Sequence, residues 1–267
     1  MAGHWEFDSH TEYLRRCWSS WKIPSTQSPT PPPTQPNVDD SQTERAALQR
    51  SWTANADAWA TAVRERAIPS RRAATDVAII AACARVMDGR PDVRVLDVGC
   101  GEGWLARTLS KVGAHVTAID ASAPLIDVAR ASGEAIDYAC VSYEQLEPDA
   151  AVLAGPFDLV VCNFALLDDR VVPLLSALAR RLPASGTVLV QTVHPWAAVG
   201  DGPYEDGWRT ETWSAFGTPF PAPMPWYFRT TASWLAAARA ARLVVDGLEE
   251  IIHPDSRKPL SLLLELG

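Results

Sequence analysis

The chain has 267 residues, of which 47% are hydrophobic and 21% are charged, a composition typical of a globular domain with a large apolar core. Its formal net charge of −8 argues against nucleic acid as the main partner, because a phosphate backbone is bound mainly by an excess of Lys and Arg.

Five scattered cysteines contain no C-x-x-C pair, so the sequence predicts free thiols rather than a disulfide framework or a zinc site. No apolar run reaches the ~18 residues that a membrane span requires. The N-terminal segment contains Glu6, Asp8 and Glu12, where a signal peptide would be apolar. Together these features predict a cytoplasmic protein that binds no metal and does not enter a membrane.

The first 40 residues are predicted to form a disordered, Pro-rich tail. Six prolines lie among Ser, Thr and Gln between Pro24 and Pro36, a composition that neither forms a helix nor fills a core. Three tryptophans precede this segment (Trp5, Trp18 and Trp21), and they leave open that the tail docks on the domain or on a partner.

Residues 41–90 are predicted to form an N-terminal helical lid. Ser41 and Glu44 have the spacing of a capping box at a helix start. The apolar stripe of one amphipathic helix then follows every three or four residues, at Leu48, Trp52, Ala56, Trp59 and Val63. A second helix is expected over residues 70–87, before the stop signals Gly89 and Pro91.

From residue 93 onward, short apolar runs alternate with amphipathic segments, which is typical of a parallel sheet with helices on both faces. Strands are predicted at 93–98, 115–119, 136–141, 157–162, 187–193, 243–250 and 260–266. Helices are predicted at 104–112, 124–131, 145–153, 171–182 and 231–241. The last two strands are joined without a helix, so we expect them to pair antiparallel. The fold class is therefore a doubly wound α/β fold.

The most informative motif is the segment from Val95 to Gly103, in which an apolar strand breaks into glycines at alternate positions: Gly99, Gly101 and Gly103. Asp120 ends the next strand, 17 residues after the last glycine. Glycines allow a sharp turn and a close approach of the backbone to a ligand. An acid at the tip of the second strand accepts hydrogen bonds from ribose hydroxyls, so the motif predicts a nucleoside site.

The spacing of the glycines argues against a dinucleotide. The dinucleotide fingerprint G-x-G-x-x-G would need a glycine where Trp104 stands. Asp97 places a carboxylate beside the loop, where it would repel a pyrophosphate and attract an ammonium group. A ligand with a ribose and an amino-acid cation but no phosphate satisfies both conditions, and S-adenosylmethionine is such a ligand.

In these residues the chain resembles the class I S-adenosylmethionine-dependent methyltransferases. The resemblance rests on Val95–Gly103, on Asp120 and on the later run from Phe157 to Val161, and it extends from about residue 48 to the C-terminus. It implies a Rossmann-like, seven-stranded sheet that is mostly parallel with an antiparallel last strand. It also implies that residues 91–267 form the methyltransferase domain and that S-adenosyl-L-methionine is the cofactor.

The predicted cofactor-binding residues follow the carboxyl ends of the strands, where ligands of open α/β sheets bind. They are Asp97, Gly99, Cys100, Gly101, Gly103, Asp120, Ala121, Ser142, Tyr143, Asn163 and Phe164. Many relatives carry an acid at the position of Ser142, where it bonds the adenine amino group. In this chain the Ser142 hydroxyl would have to make that contact. Tyr143 is either a ring that stacks on adenine or an ordinary half-buried aromatic residue.

The acceptor is predicted to bind beneath a long insert at about residues 195–228, which is rich in aromatic residues. We expect Trp226, Tyr227 and Arg229 to orient the acceptor, with Trp59 and Arg71 contributing from the lid. The acceptor is then a small molecule, aromatic or partly apolar. The alternative is that part of the insert is a satellite core beneath a long loop.

His194 follows the fifth predicted strand and is the candidate general base, because an imidazole accepts a proton near neutral pH. The alternative is that His194 only forms hydrogen bonds in the turn before Pro195.

The sequence thus predicts a methyltransferase that transfers a methyl group to oxygen or nitrogen of a small-molecule acceptor. It is expected to be a monomer or homodimer without nucleic-acid or membrane partners. The alternatives are a protein or nucleic-acid methyltransferase, and a non-catalytic module that binds the cofactor.

Overall fold

The structure is a computed structural model that describes residues 38–90, 92–133, 136–146, 153, 155–214, 216 and 219–267. The predicted disordered tail therefore lies outside the described residues, apart from its last three positions. The helices are α1 Val38–Ala54, α2 Ala56–Arg64, α3 Asp76–Met87, α4 Trp104–Ser110, α5 Ala123–Arg130, α6 Val171–Ala179, α7 Pro195–Ala198 and α8 Thr231–Ala240. The strands are β1 Arg94–Val98, β2 His115–Asp120, β3 Asp137–Cys140, β4 Leu159–Asn163, β5 Thr187–Val193, β6 Gly207–Glu211, β7 Met224–Phe228, β8 Val245–Ile252 and β9 Pro259–Leu266.

Seven strands form one sheet in the order β3-β2-β1-β4-β5-β9-β8. Strands β1 to β5 are parallel, and β9 runs antiparallel to both of its neighbours, β5 and β8. The predicted fold class, a mostly parallel sheet with an antiparallel last strand, is confirmed. Because the sheet order reverses beside β1, the crevice for a ligand lies at the carboxyl ends of β1 and β4.

Helices cover both faces of this sheet, which explains why its strands are apolar on both sides. Leu96 and Val98 of β1 pack toward α6 and α8, whereas Val95 packs toward α3, α4 and α5. The two cores hold the central strands rigidly, so the loops at the strand ends are presented from a fixed frame.

The lid differs from its prediction in three details. Helix α1 begins at Val38, so Ser41 lies within the helix and is buried rather than capping its start. The single stripe is broken at Asn55, which separates α1 from α2. A π-helical turn (residues 71–75) precedes α3, where one continuous helix was expected.

The break at Asn55 has a tertiary cause. The Asn55 amide is fully buried, donates to the Ser51 hydroxyl (3.0 Å) and to the Ala222 carbonyl (2.8 Å), and accepts from the Ala222 N–H (3.0 Å). A local apolar stripe carries no information about this contact with a residue 167 positions away.

The insert forms a β-hairpin of its own, a two-stranded sheet of β6 and β7 that was not foreseen. Its aromatic side chains pack together with those of the lid, including a stacked pair, Trp213 and Phe220, with ring centroids 4.4 Å apart. The alternative of a satellite core thus accounts for part of the insert.

Two further predictions concern the state of the cysteines and the presence of membrane-spanning helices. Cys83, Cys100, Cys140 and Cys162 are free thiols, whereas Cys17 lies outside the described residues. Within the part of the chain that the structure describes, no helix is long and apolar enough to cross a membrane.

Candidate functional site

A cavity lies at the carboxyl ends of β1, β2 and β4, and nine predicted cofactor-binding residues line it. They are Gly99, Cys100, Gly101, Asp120, Ala121, Ser142, Tyr143, Asn163 and Phe164. The sheet topology brings these residues together from four separate loops.

The glycine loop is shaped by backbone conformations that favour glycine. Gly99 and Gly101 have φ angles of 70° and 59°. A Cβ atom on Gly99 would lie 2.5 Å from the Ala165 Cβ, so the loop and the segment after β4 touch at this point. The N–H groups of Gly99 and Cys100 both donate to the Ile119 carbonyl, at 2.8 and 2.9 Å, which fixes the loop against β2.

Gly103 was predicted to bind the cofactor, but it does not line the cavity. It lies at the start of α4 with a φ of 84°, and a Cβ atom there would lie 2.5 Å from the Tyr138 hydroxyl. Glycine is required at this position because a side chain would collide with Tyr138, which packs against the loop.

Asp120 is held rigidly at the cavity wall. Its Oδ2 accepts from the Gly101 N–H at 2.9 Å, and its Oδ1 accepts from the Ser122 N–H at 2.8 Å. Burial raises the pKa of Asp120, and these two backbone hydrogen bonds oppose that shift. Each carboxylate oxygen keeps a lone pair for a further donor, which suits the two hydroxyls of a ribose.

Asp97 lies behind the wall rather than on it, which corrects the predicted direct position. It is 2% exposed, and burial together with the nearby Asp120 raises its pKa to about 7. Its Oδ2, like the Oδ1 of the cavity-lining Asn163, has no hydrogen-bond partner among the described residues. Two orphaned acceptors at the ends of β1 and β4 call for a group rich in hydrogen-bond donors.

Tyr143 lines the cavity beside the glycine loop, with its hydroxyl 3.7 Å from the position of a Cβ on Gly99. Its hydroxyl donates to the Ala165 carbonyl at 2.6 Å, and burial raises its pKa well above the usual range, so the proton stays in place. The ring is the part of Tyr143 that remains for contact with a ligand. The neighbouring Ser142 N–H donates to the Gln145 side chain at 2.8 Å.

The lid supplies the wall opposite the strand ends, and the predicted residues Trp59 and Arg71 both line the cavity. The Trp59 Nε1 lies 3.4 Å from the position of a Cβ on Gly101, so its indole covers the glycine loop. Arg71 donates from Nε to Asp76 at 2.8 Å and stacks 4.4 Å from the centroid of the Trp104 ring. Four further lid residues on this wall were not predicted from the sequence: Arg45, Leu48, Gln49 and Trp52.

Helix α1 is held at two points, with Leu48, Gln49 and Trp52 of the cavity wall between them. In the middle of the helix, Arg45 NH1 donates to both carboxylate oxygens of Asp169, at 2.7 and 2.9 Å. Just after its C-terminal end, the fully buried Asn55 forms hydrogen bonds with the backbone of Ala222. The Arg45–Asp169 pair is partly exposed (19% and 18%), so water reaches it more easily than it reaches Asn55.

We expect Arg45→Ala to loosen the lid and to speed the dissociation of S-adenosylhomocysteine about five-fold, because an ion pair of this kind is worth about 1 kcal/mol. Stopped-flow fluorescence of the cavity tryptophans measures this rate. Arg85→Ala is the matched control, since its ion pair with Glu249 is 55% and 56% exposed and joins α3 to β8. Equal dissociation rates in wild type and Arg45→Ala would contradict the fastening.

Trp226, Tyr227 and Arg229 were predicted to orient the acceptor, but none of them lines the cavity. Trp226 packs with the aromatic side chains of the insert. Tyr227 donates its backbone N–H to the Leu167 carbonyl at 2.8 Å. Arg229 is 4% exposed and donates to the Asp168 carbonyl, so it braces the loop after β4 from behind.

His194 is also absent from the cavity, which corrects its prediction as the general base. Both ring nitrogens are engaged elsewhere: Nδ1 accepts from the Trp196 N–H at 3.2 Å, and Nε2 lies 2.7 Å from Glu250 Oε1 on β8. Its role in the structure is to cap α7. The alternative of a turn residue is the one that the geometry favours.

His194→Ala should therefore lower stability rather than catalysis. Loss of the cap on α7 is expected to reduce the free energy of unfolding by about 1 kcal/mol. Urea denaturation measures this change, and the rate of methyl transfer per folded molecule should match that of wild type. A large loss of transfer rate with unchanged stability would restore His194 as a base.

Comparison with known proteins agrees with this geometry. Residues 95–186 match the family model described as a methyltransferase domain, a region that holds the glycine loop, Asp120 and β4. A ubiquinone biosynthesis O-methyltransferase of Xanthomonas campestris pv. campestris is 40% identical over 110 residues, which cover 39% of this chain and 44% of that relative. The chain thus matches less than half the length of this curated relative.

Solved structures extend the similarity of fold over more of the chain. An S-adenosylmethionine-dependent methyltransferase from Mesorhizobium loti has a TM-score of 0.55 at 23% identity, covering 69% of this chain and 95% of that one. The Burkholderia thailandensis 1,6-didemethyltoxoflavin-N1-methyltransferase, solved with its substrate and S-adenosylhomocysteine, has a TM-score of 0.57 at 18% identity. It covers 85% of this chain and 89% of its own. The predicted resemblance to methyltransferases is confirmed over residues 95–186, and the similarity of fold extends beyond that region.

Proposed function

We propose that this chain, whose residues 95–186 belong to the methyltransferase-domain family, is an S-adenosylmethionine-dependent methyltransferase that methylates oxygen or nitrogen of a small-molecule acceptor. The observation that supports this most directly is the cavity at the strand ends. It joins the glycine loop and Asp120 on one side to the lid residues Trp52 and Trp59 on the other.

The residues of the cavity fit both parts of the proposed cofactor, the adenosine and the amino acid. When bound, S-adenosylmethionine supplies a methyl group that is electrophilic because its sulfur carries a positive charge. Asp120 would accept from both ribose hydroxyls, and the ring of Tyr143 would lie against adenine. The orphaned oxygen of Asn163, which lines the cavity, is an acceptor for an ammonium group, and the Arg71 guanidinium suits a carboxylate.

Trp104 argues against a dinucleotide as the ligand of this cavity. It stands where the fingerprint requires its third glycine, and its ring is occupied by the stacked Arg71 guanidinium. The Asp120 carboxylate at the cavity wall faces the loop, which disfavours a pyrophosphate.

A small-molecule acceptor is supported by the cavity itself, because residues of α1 form a wall facing the strand ends and narrow the space between them. Leu48, Trp52 and Leu167 give this space apolar walls, and Gln49 adds a polar group. Such walls favour a flat, partly apolar molecule. The protein's contribution to the reaction is to align the acceptor with the methyl group and to exclude water.

We further propose a cytoplasmic enzyme, a monomer or homodimer, with neither nucleic-acid nor membrane partners. Support comes from the net charge of −8 and from the buried free thiols of Cys83, Cys100 and Cys162.

The experiment is a screen of metabolite extracts with S-adenosylmethionine that carries a deuterated methyl group. We expect a small molecule whose mass increases by one deuterated methyl, and only with active protein. If S-adenosylhomocysteine binds but no metabolite or macromolecule gains label, the protein is a binding module and the proposed activity is wrong.

A further inference from the structure

The loop between β4 and α6 is held in place by its backbone carbonyls. The Tyr143 hydroxyl donates to the Ala165 carbonyl, the Tyr227 N–H donates to the Leu167 carbonyl, and the Arg229 guanidinium donates to the Asp168 carbonyl. The first donor lies in the turn after β3, and the other two lie in β7 and at the residue that directly follows it. A loop fixed at three successive points presents its side chains with little freedom, which is what a reacting group requires.

Asp168 is the acidic side chain that this loop contributes to the cavity. It is 6% exposed, and its Oδ1 accepts from the Arg170 N–H at 2.9 Å. Among the described residues, the nearest donor to Oδ2 is the Arg170 guanidinium at 3.5 Å, the outer limit of a hydrogen bond. That guanidinium also pairs with Glu144, so Oδ2 remains able to accept a further hydrogen bond.

We propose that Asp168 is the catalytic base for a hydroxyl acceptor, which makes a phenol or an alcohol the substrate class. This inference rests on the proposed function and deepens it. The hydroxyl proton passes to Oδ2 of Asp168, while an electron pair of the hydroxyl oxygen forms the bond to the methyl carbon. The methyl–sulfur bond breaks with its electron pair kept by sulfur, so the products are a methyl ether and S-adenosylhomocysteine.

The other acids near the cavity are less suited to this role. Asp120 is committed to two backbone N–H groups beside the glycine loop, and Asp97 does not line the cavity. Glu144 is 58% exposed and pairs with Arg170 at the rim. His194 lies outside the cavity.

The charged surroundings of Asp168 set the direction of its pH dependence. Burial raises the pKa of Asp168, with Asp169 adding to the shift, while the Arg170 N–H and the charges of Arg170 and Arg229 oppose it. Two charged groups on neighbouring elements also face this loop. Glu144 forms an ion pair with Arg170, and Arg45 of α1 forms an ion pair with Asp169. A raised pKa strengthens the base, and protonation at lower pH removes it, so the rate should rise with pH through this pKa.

The test compares two acceptors that differ in whether a proton must be removed. Phenol is protonated at pH values below its pKa of ~10, whereas 4-nitrophenol is already largely ionised in weakly alkaline buffer. For Asp168→Asn we expect methyl transfer to phenol to fall ~10²–10⁴-fold. Transfer to 4-nitrophenolate should change less than about tenfold, because no base is needed. Asp168→Glu should recover part of the rate with phenol.

Two readouts do not depend on turnover. Calorimetry should give the same S-adenosylhomocysteine affinity for Asp168→Asn and wild type. A carbon-13 titration of aspartate carboxyls should lose one signal with a raised pKa in the variant. Equal losses with both phenols would mean a structural role and overturn the proposal. So would a wild type that methylates amines but neither phenol, although that result would leave the proposed methyltransferase function intact.

Discussion

Replacing Asp120 by alanine should weaken S-adenosylhomocysteine binding on the order of 5- to 150-fold. Both ribose hydroxyls would lose their acceptor, and leaving buried donors unpaired costs about 1–3 kcal/mol. Isothermal calorimetry at neutral pH measures the affinity directly. Because Asp120 also accepts from the Gly101 and Ser122 N–H groups, the thermal unfolding of the variant should be recorded beside its affinity.

Two further variants serve as controls, Asp120→Asn as the conservative substitution and Asp127→Ala as the removal of an exposed aspartate. The asparagine keeps one oxygen acceptor for the backbone, so it should fold while still losing affinity. Asp127 lies on α5 with a side chain that is 77% exposed, and its removal should leave binding unchanged. Full affinity in both Asp120 variants would show that the ribose does not bind at the end of β2.

Gly99→Ala should lower the free energy of unfolding by two separable effects. An L-residue at a φ of 70° costs roughly 1–2 kcal/mol. The new Cβ would also lie 2.5 Å from the Ala165 Cβ, and overpacking of this kind costs typically about 1–3 kcal/mol. Cofactor affinity should fall as well, because the shift separates the glycine loop from the segment after β4.

Gly133→Ala isolates the backbone effect. Gly133 has a φ of 75°, close to that of Gly99, but a Cβ atom there would meet nothing within 4 Å. Urea denaturation should therefore show a smaller loss for Gly133→Ala than for Gly99→Ala. Equal losses in the two variants would mean that the contact with Ala165 carries no weight.

The fold could be predicted from the sequence because its signals are local. Apolar strands that alternate with amphipathic helices indicate a parallel sheet wherever they occur, and the glycines of the first loop fix where the chain turns. The β6–β7 hairpin was missed because Pro and Gly interrupt the alternation of its strands. The break at Asn55 was missed because its cause, the backbone of Ala222, is distant in the chain.

Nine of the predicted cofactor residues line the cavity, because each lies at or shortly after the end of a strand. Of the residues predicted for the acceptor, Trp59 and Arg71 line it, whereas Trp226, Tyr227 and Arg229 do not. Arg229 and His194 had the right chemistry and sequence position, yet their side chains turn toward the Asp168 carbonyl and Glu250. The direction of a side chain at the end of an element depends on packing, which the sequence pattern does not encode.

The most direct test of the account is the size of the molecule that receives the methyl group. Protein and cell extract are incubated with S-adenosylmethionine labelled on its methyl, and the label is separated into small molecules and macromolecules, with Asp120→Ala as the control. We expect label in the small-molecule fraction, and we expect it to be strongly reduced in the variant. Label confined to protein or nucleic acid, or no transfer at all despite cofactor binding, would contradict it.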